Sequence, residues 1–261
     1  MSQTLLLSGP PGCGKTSWIQ KQIQSHSGPS GYLRLAGYPD EGLAQARDGG
    51  IDRALLLDQC PGLLDLSDPD QALAPHPAGL VVLIELPQFH PPAQGGLAGV
   101  DTRIMPQLQA LHLTPDRHLH FGRDPELPQQ DTLDFSHLQA WSLNLNATVW
   151  DPSSLSSFWF ELVNGAYGDV YRAKGLMNLP DGRAFFCNWM VSQEGSQFLP
   201  QQTIAPPDGR PDRLSRLVVQ GKDLDPAAID ATVTDCLLSD AALELQQAPL
   251  RHRHSQPTRS A

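Results

Sequence analysis

Eight residues near the start of the chain, Gly9-Pro10-Pro11-Gly12-Cys13-Gly14-Lys15-Thr16, constrain its fold more than any other stretch. They satisfy G-x-x-x-x-G-K-[ST] at every fixed position, the pattern of a loop whose backbone N–H groups surround a phosphate. A chance match in a chain of this length is on the order of one per cent. The flanks agree with the pattern. Thr4-Leu5-Leu6-Leu7-Ser8 is the apolar run of a buried parallel strand. Ser17 to Gln24 carries Ile19 and Ile23 four apart and stops at Gly28-Pro29, as a helix does. Strand, glycine loop and helix together aim backbone amides and a helix N-terminus at one anion.

Roles follow from that geometry. Gly9, Gly12 and Gly14 let the main chain curl without side-chain clash, and Pro10, Pro11, Cys13 and Ser17 complete the cradle. Lys15 reaches the β- and γ-phosphates of a nucleoside triphosphate, and the Thr16 hydroxyl ligates its Mg²⁺. A nucleotide site also needs an acid near that metal, at the end of a neighbouring strand. Gly79-Leu80-Val81-Val82-Leu83-Ile84-Glu85 is apolar throughout and ends in a carboxylate, so Glu85 is the expected third member of the site. Asp58 is a weaker rival, because the run before it reads equally as helix.

Charge narrows the partners. With 18 Lys+Arg against 28 Asp+Glu the chain carries a formal charge of -10, which argues against nucleic acid and anionic membrane as partners. Phosphate affinity must come from a local site. The four cysteines, Cys13, Cys60, Cys187 and Cys236, form no C-x-x-C pair, which fits a reducing, cytoplasmic home better than a disulfide framework. The first apolar run feeds straight into the loop, leaving no signal peptide, and no apolar stretch has transmembrane length.

Alternation continues after the loop. Gly31 to Ala36 reads as a second strand, Asp40 to Ala46 as a short helix, and Asp101 to His112 as a helix with Pro106 uncomfortably early. Arg117 to Phe121 reads as a further strand. Pro- and Gly-rich residues 87–100 and the polar residues 122–130 read as loops. Alternating strands and helices imply a parallel sheet with helices on both faces, a P-loop domain over residues 1–132. The pattern then changes. Trp141 to Trp150 alternates like a half-exposed strand, and Asp151-Pro152 opens a helix closed by Gly165. Asp169 to Leu179 and Arg183 to Val191 form a hairpin around Pro180-Asp181-Gly182. Leu217 to Gly221 is a last strand and Asp225-Pro226 starts a last helix. Residues 138–240 thus make a smaller α+β domain, and 241–261 read as a disordered tail.

Several short segments resemble the CobW family of metal-linked P-loop GTPases, relatives of the nickel-insertion GTPases of hydrogenase and urease. Arg172-Ala173-Lys174-Gly175 is similar to that family's C-terminal R-A-K-G strand, and Leu217 to Asp225 to the strand and helix start that close it. Gly50-Ile51-Asp52 resembles its G-I-D segment, and Ile84-Glu85 the start of its I-E-T-S-G switch. The resemblance implies binding and slow hydrolysis of GTP or ATP with Mg²⁺, loops around 37–50 and 86–100 that switch on hydrolysis, and a client metalloprotein in metal homeostasis. Departures accompany the matches. Where the family has C-x-C-C, this chain has only Cys60, too few ligands for the Zn²⁺ or Co²⁺ the family handles. Gln88 stands where the family has the switch glycine whose N–H meets the γ-phosphate, and no N-K-x-D reads the base. The alternatives are a degenerate nucleotide-binding scaffold and, ranked last, an ATPase or kinase of another P-loop family.

Lesser candidates remain. His118 and His120 share a strand face and could ligate a metal, though plain core or surface histidines are the favoured reading. Cys13, at a helix N-terminus, has the setting of a low-pKa thiol, yet a small residue tolerated in the loop suffices to explain it. Arg172 and Lys174 read as structural, and Arg251-His252-Arg253-His254 as a solvated basic tail.

Overall fold

The apolar run before the loop folds as β1 (Gln3–Gly9), and the loop delivers the chain into α1 (Lys15–Ser25). The computed structural model describes residues 3–35, 50–88, 91–92, 94–100, 102–128 and 138–255. The chain divides into two units, Met1–Arg47 with Asp52–His137, and Asp48–Ile51 with Leu138–Ala261. The short helix expected over 40–46 and the boundary expected near 131–137 lie outside the described residues.

The first unit continues through β2 (Ser30–Arg34), α2 (Ile51–Gln59), β3 (Leu64–Asp65), α3 (Pro69–Leu73), β4 (Val81–Pro87), α4 (Met105–Ala110) and β5 (Arg117–His120). Its five strands are ordered β3-β2-β4-β1-β5, and every pairing is parallel. Alternate residues of each strand enter different cores, which is why these strands read as continuous apolar runs. Leu5, Leu7, Tyr32, Leu83 and Leu119 face Ile19 of α1 and Leu56 of α2. Leu6, Leu33, Val82, Ile84 and Leu86 face Ala72 of α3, Ile104 just before α4 and Leu108 of α4. The sheet is covered by helices on both faces.

Some expectations need correction here. Asp58 lies on the last turn of α2, not at a strand end, which removes it as a rival to Glu85. Pro106 is not misplaced: it occupies the first turn of α4, where its missing N–H costs nothing, after a 3-10 turn over Thr102–Ile104. The short β3 and α3 were not legible, being two and five residues long.

The second unit holds an antiparallel sheet of order β6-β10-β7-β8-β9, with β6 (Gln139–Asn144), β7 (Asp169–Asn178), β8 (Ala184–Met190), β9 (Gln197–Pro200) and β10 (Arg216–Lys222). α5 (Pro152–Val163) and α6 (Pro226–Cys236) lie over one face. They close a core of Trp150, Phe158, Trp159, Leu162, Ala173, Met177, Leu217, Val219, Ile229 and Val233. β6 ends earlier than the alternation suggested. The Asn144 Oδ1 accepts from the Asn146 N–H at 3.1 Å and Ala147 takes φ 55°, so the chain turns before Trp150.

The tail expected over 241–261 is also corrected: Asp240–Ser255 is helical, α7. Ala241 to Gln247 are strong helix formers, and the inward side chains have partners. Leu243 packs with Val149 and Leu238. Gln247 donates to Pro180 O at 3.1 Å and Gly209 O at 3.0 Å and accepts from Gly209 N. The polar character of residues 251–257 concealed this anchoring. Residues 256–261 lie outside the described ones.

Candidate phosphate site

The loop between β1 and α1 is built on left-handed glycines. Gly12 and Gly14 take φ of 83° and 88°, which only glycine adopts without penalty. Gly9 serves by close approach instead: a Cβ there would lie 2.8 Å from Cys13 Sγ and 2.8 Å from Phe121 Cβ. Gly14 is the N-cap of α1, and no side chain caps that helix. Its first amides therefore present their partial positive charge to whatever the loop encloses.

Lys15 is buried, 5 % exposed, and its Nζ donates to Gly9 O at 2.9 Å, Pro10 O at 2.8 Å and Cys13 Sγ at 3.6 Å. Carbonyl oxygens of the loop thus occupy the ammonium. Thr16 and Ser17 follow in the first turn of α1, half-buried and exposed. Pro10, Pro11 and Cys13 complete the turn, and Cys13 N–H donates back to Pro10 O at 3.3 Å. The Cys13 thiol is pushed up by burial, which outweighs the neighbouring Lys15 ammonium. The Cys13 side chain lies in the core, which fits a small residue tolerated in the loop rather than a low-pKa thiol.

Glu85 sits level with Leu7 and Arg34 in the sheet register, on the α1 face. It is 2 % exposed, and both of its oxygens are engaged. Tyr32 Oη donates to Oε2 at 2.6 Å, Arg34 Nη1 donates to Oε1 at 3.1 Å, and Lys15 Nζ lies 4.0 Å from Oε1. Arg34 Nη1 also donates to Asp52 Oδ2 at 2.9 Å. Burial, then the Glu85 charge, raises the Tyr32 phenol well above its ordinary value, so it stays a donor. The structure places Lys15 and Glu85 side by side. It adds Tyr32, Arg34 and Asp52, which the sequence reading missed.

On the opposite face of β1 a second polar group lies beneath the loop. Ser8 Oγ is 2.7 Å from His118 Nε2 and 2.8 Å from His120 Nδ1, all three buried. Burial, helped by Arg123, lowers both imidazoles, His120 to about 4. They are neutral core residues around a serine, and no group of three or more metal-ligating side chains occurs among the described residues. Cys60 is buried at the end of α2, and burial raises its thiol.

Gln88 N–H donates to Gly9 O at 3.0 Å. Arg172 and Lys174 are likewise occupied in their own unit: Arg172 Nη1 donates to Gln220 Oε1 at 2.9 Å, and the Lys174 ammonium lies 5.5 Å from the centre of the Phe186 ring.

Residues 139–237 match the family model described as cobalamin synthesis protein cobW C-terminal domain. No curated protein matches the chain. Among solved structures, the chain is similar to the Zn(II)-bound YjiA GTPase from E. coli, at 11 % identity and a TM-score of 0.32, covering 90 % of this chain and 98 % of that one. A Zn(II)-bound triple mutant of YjiA matches at 12 % identity and a TM-score of 0.31, over 90 % and 99 % of the two chains. Likeness at that level says nothing about individual residues. No helix among the described residues is long and apolar enough to cross a membrane.

Proposed function

We propose that this chain, a CobW-family protein by the C-terminal domain it carries, binds a nucleoside triphosphate at the β1–α1 loop and hydrolyses it slowly. One observation carries the reading. An uncapped helix N-terminus and two left-handed glycines form the loop that carries a buried lysine ammonium, whose hydrogen bonds go to the loop's own carbonyls with Glu85 Oε1 4.0 Å away. When a triphosphate enters, Lys15 exchanges the carbonyls of Gly9 and Pro10 for phosphate oxygens, and the loop amides take the rest of the charge.

Mg²⁺, which such a site requires, fits the residues unequally. The Thr16 hydroxyl stands in the uncapped first turn and suits direct ligation. The Glu85 oxygens already accept from Tyr32 and Arg34, which suits Glu85 to hold metal-bound water through a remaining lone pair. Bound there, the ion supplies charge stabilisation at the transferring phosphoryl group. Among the residues present, none is placed by sequence to orient the attacking water, hence the slow turnover. GTP is the assigned base by family resemblance, with ATP the competitor, and the client is a metalloprotein in metal homeostasis.

Lys15→Ala tests the reading: GTP and ATP affinity, measured with fluorescent analogues, should fall at least 100-fold. Unchanged affinity would sink it. A second reading, a nucleotide-holding scaffold without hydrolysis, is favoured by the Gln88 N–H, which is engaged by Gly9 O rather than open to a γ-phosphate. Phosphate release from purified protein, with and without Zn²⁺, separates the two.

A further inference from the structure

Four buried or nearly buried charges lie side by side at the carboxyl ends of β2 and β4: Lys15, Arg34, Asp52 and Glu85. Burying ions is costly even in pairs, and a fold gains little stability from such a group compared with apolar residues of the same volume. The arrangement asks for another reason. Its order is a chain. Asp52 on α2 holds the Arg34 guanidinium, Arg34 holds Glu85 Oε1, and that same oxygen faces the Lys15 ammonium. Tyr32, two residues before Arg34 on β2 and so on the same strand face, takes the other oxygen of Glu85. Each contact fixes one atom of the carboxylate. Arg34 Nη1 makes one of them and donates at the same time to Asp52 Oδ2.

We propose that Arg34 is the positioning residue of the phosphate site. Anchored by Asp52, it holds Glu85 as an oriented anion beside Lys15, so that the carboxylate meets the metal ion's water shell when a metal–triphosphate occupies the loop. The proposal rests on the nucleotide reading above and adds to it the residue that couples metal to nucleotide. The groups facing Glu85 are Tyr32 and Arg34 from β2, Lys15 and Cys13 from the loop and α1, and Asp52 from α2. Charge arithmetic points the same way. A triphosphate brings about four negative charges, and Mg²⁺ with Lys15 supplies three positive ones. Glu85 adds one more negative charge to the nucleotide's own, and Arg34, shared with Asp52, is the fixed cation besides Lys15 that lies against it.

The test uses the full chain and a fluorescent GTP analogue, titrated in EDTA and across a Mg²⁺ series, with thermal melting of each variant alongside. In EDTA the loop amides and Lys15 bind nucleotide unaided, so Arg34→Met should change affinity less than threefold. The Mg²⁺ concentration for half-maximal enhancement of binding should rise at least tenfold. Arg34→Lys, which keeps the charge and one donor, should recover most of that shift. Tyr32→Phe removes one hydrogen bond to the same carboxylate at constant shape and should move the Mg²⁺ midpoint about threefold in the same direction. It serves even where Arg34→Met melts below the assay temperature. Arg34→Met with an unmoved Mg²⁺ midpoint, or with equal losses in EDTA and in Mg²⁺, overturns the inference. So does Tyr32→Phe with an unmoved midpoint when Arg34→Met does not fold. A wild-type protein that binds no nucleotide overturns the phosphate-site reading, and this inference with it.

Discussion

Both units bury polar side chains, and they use them for different ends. In the second unit Arg172 is held by Gln220 and Lys174 lies over the Phe186 ring, while the buried amides and hydroxyl are tied to backbone carbonyls. Asn178 Nδ2 donates to Thr148 O, Ser215 Oγ to Leu176 O, and Gln247 to Pro180 O and Gly209 O. They close loops over an aromatic core in which the Trp150 and Phe158 rings lie 5.3 Å apart and Phe158 and Tyr167 6.0 Å apart. In the first unit the buried polar groups are charges and imidazoles gathered around the phosphate loop, tied mainly to one another. One unit is built to hold its shape. The other holds electrostatic potential at the carboxyl ends of a parallel sheet, where α/β proteins place their ligands.

That contrast is broken most directly in the aromatic core. Phe158 is 1 % exposed and contacts two other rings. Phe158→Ala should destabilise the second unit by about 3–5 kcal/mol, the cost of a large cavity. Chemical denaturation followed by tryptophan fluorescence measures it. Nucleotide affinity of the folded fraction should change less than twofold, and a parallel loss of affinity would show that the two regions do not divide their labour as described.

The imidazoles sharpen it next. His120 has a folded value near 4 against an ordinary 6.5, because burial and Arg123 disfavour its charged form. Between those values the unfolded chain binds the extra proton. Stability from this group is complete above about pH 6.5, declines as pH falls through that window, and is gone below about pH 4. The total is about 3 kcal/mol, and His118, shifted the same way, adds to it. Urea unfolding at pH 7 and pH 4.5 should show the loss in wild type and a flatter dependence in His120→Asn. Equal slopes would refute the assignment.

Glycine gives a smaller and more selective effect. Gly12 in the loop and Gly182 in the β7–β8 turn share a φ of 83°. A Cβ at Gly182 would also strike Ala205 O at 1.8 Å. Gly182→Ala should therefore lower stability by more than the roughly 1–2 kcal/mol of left-handed strain expected at Gly12→Ala. The order reverses in nucleotide affinity, which only Gly12→Ala should reduce. Thermal melts and the fluorescent-nucleotide assay on both variants decide this.

What the sequence disclosed follows the same division. The strands β1 and β4, and Glu85 near the end of the latter, were legible because a buried parallel strand ending in an acid is a local pattern. The β7–β8 hairpin was legible because Pro180-Asp181-Gly182 is a local turn signal, and its strands fall within one residue of expectation. Arg34 was not legible. It stands inside Tyr32-Leu33-Arg34-Leu35, where a single arginine reads as the outward side of a strand, and its partners lie 18 and 51 residues further on. The helix α7 was missed for a related reason: its anchors, Leu243 and Gln247, meet turns distant in sequence, while its composition near Arg251 reads as solvated.

The smallest prediction compares two helix N-termini. In α5, Asp151 Oδ2 accepts from Ser154 N–H at 2.9 Å and from Ser154 Oγ at 2.9 Å, the arrangement of a helix whose orphan amides are satisfied from within. Those hydrogen bonds hold the Asp151 carboxyl below the usual carboxylate range. In α1 the same position is Gly14 and nothing caps it. Asp151→Ala should cost about 1 kcal/mol at pH 7, read as a lowered urea midpoint with an unchanged slope. The cap weakens as the carboxylate protonates, so the difference between variant and wild type should shrink on acidification. At α1 the corresponding gain should come from outside the chain: millimolar triphosphate should raise the midpoint of wild type and leave Lys15→Ala where it was. If the midpoint of wild type does not move with nucleotide, the bare amides of α1 are only an unfinished helix end, and the contrast between the two units loses its functional half.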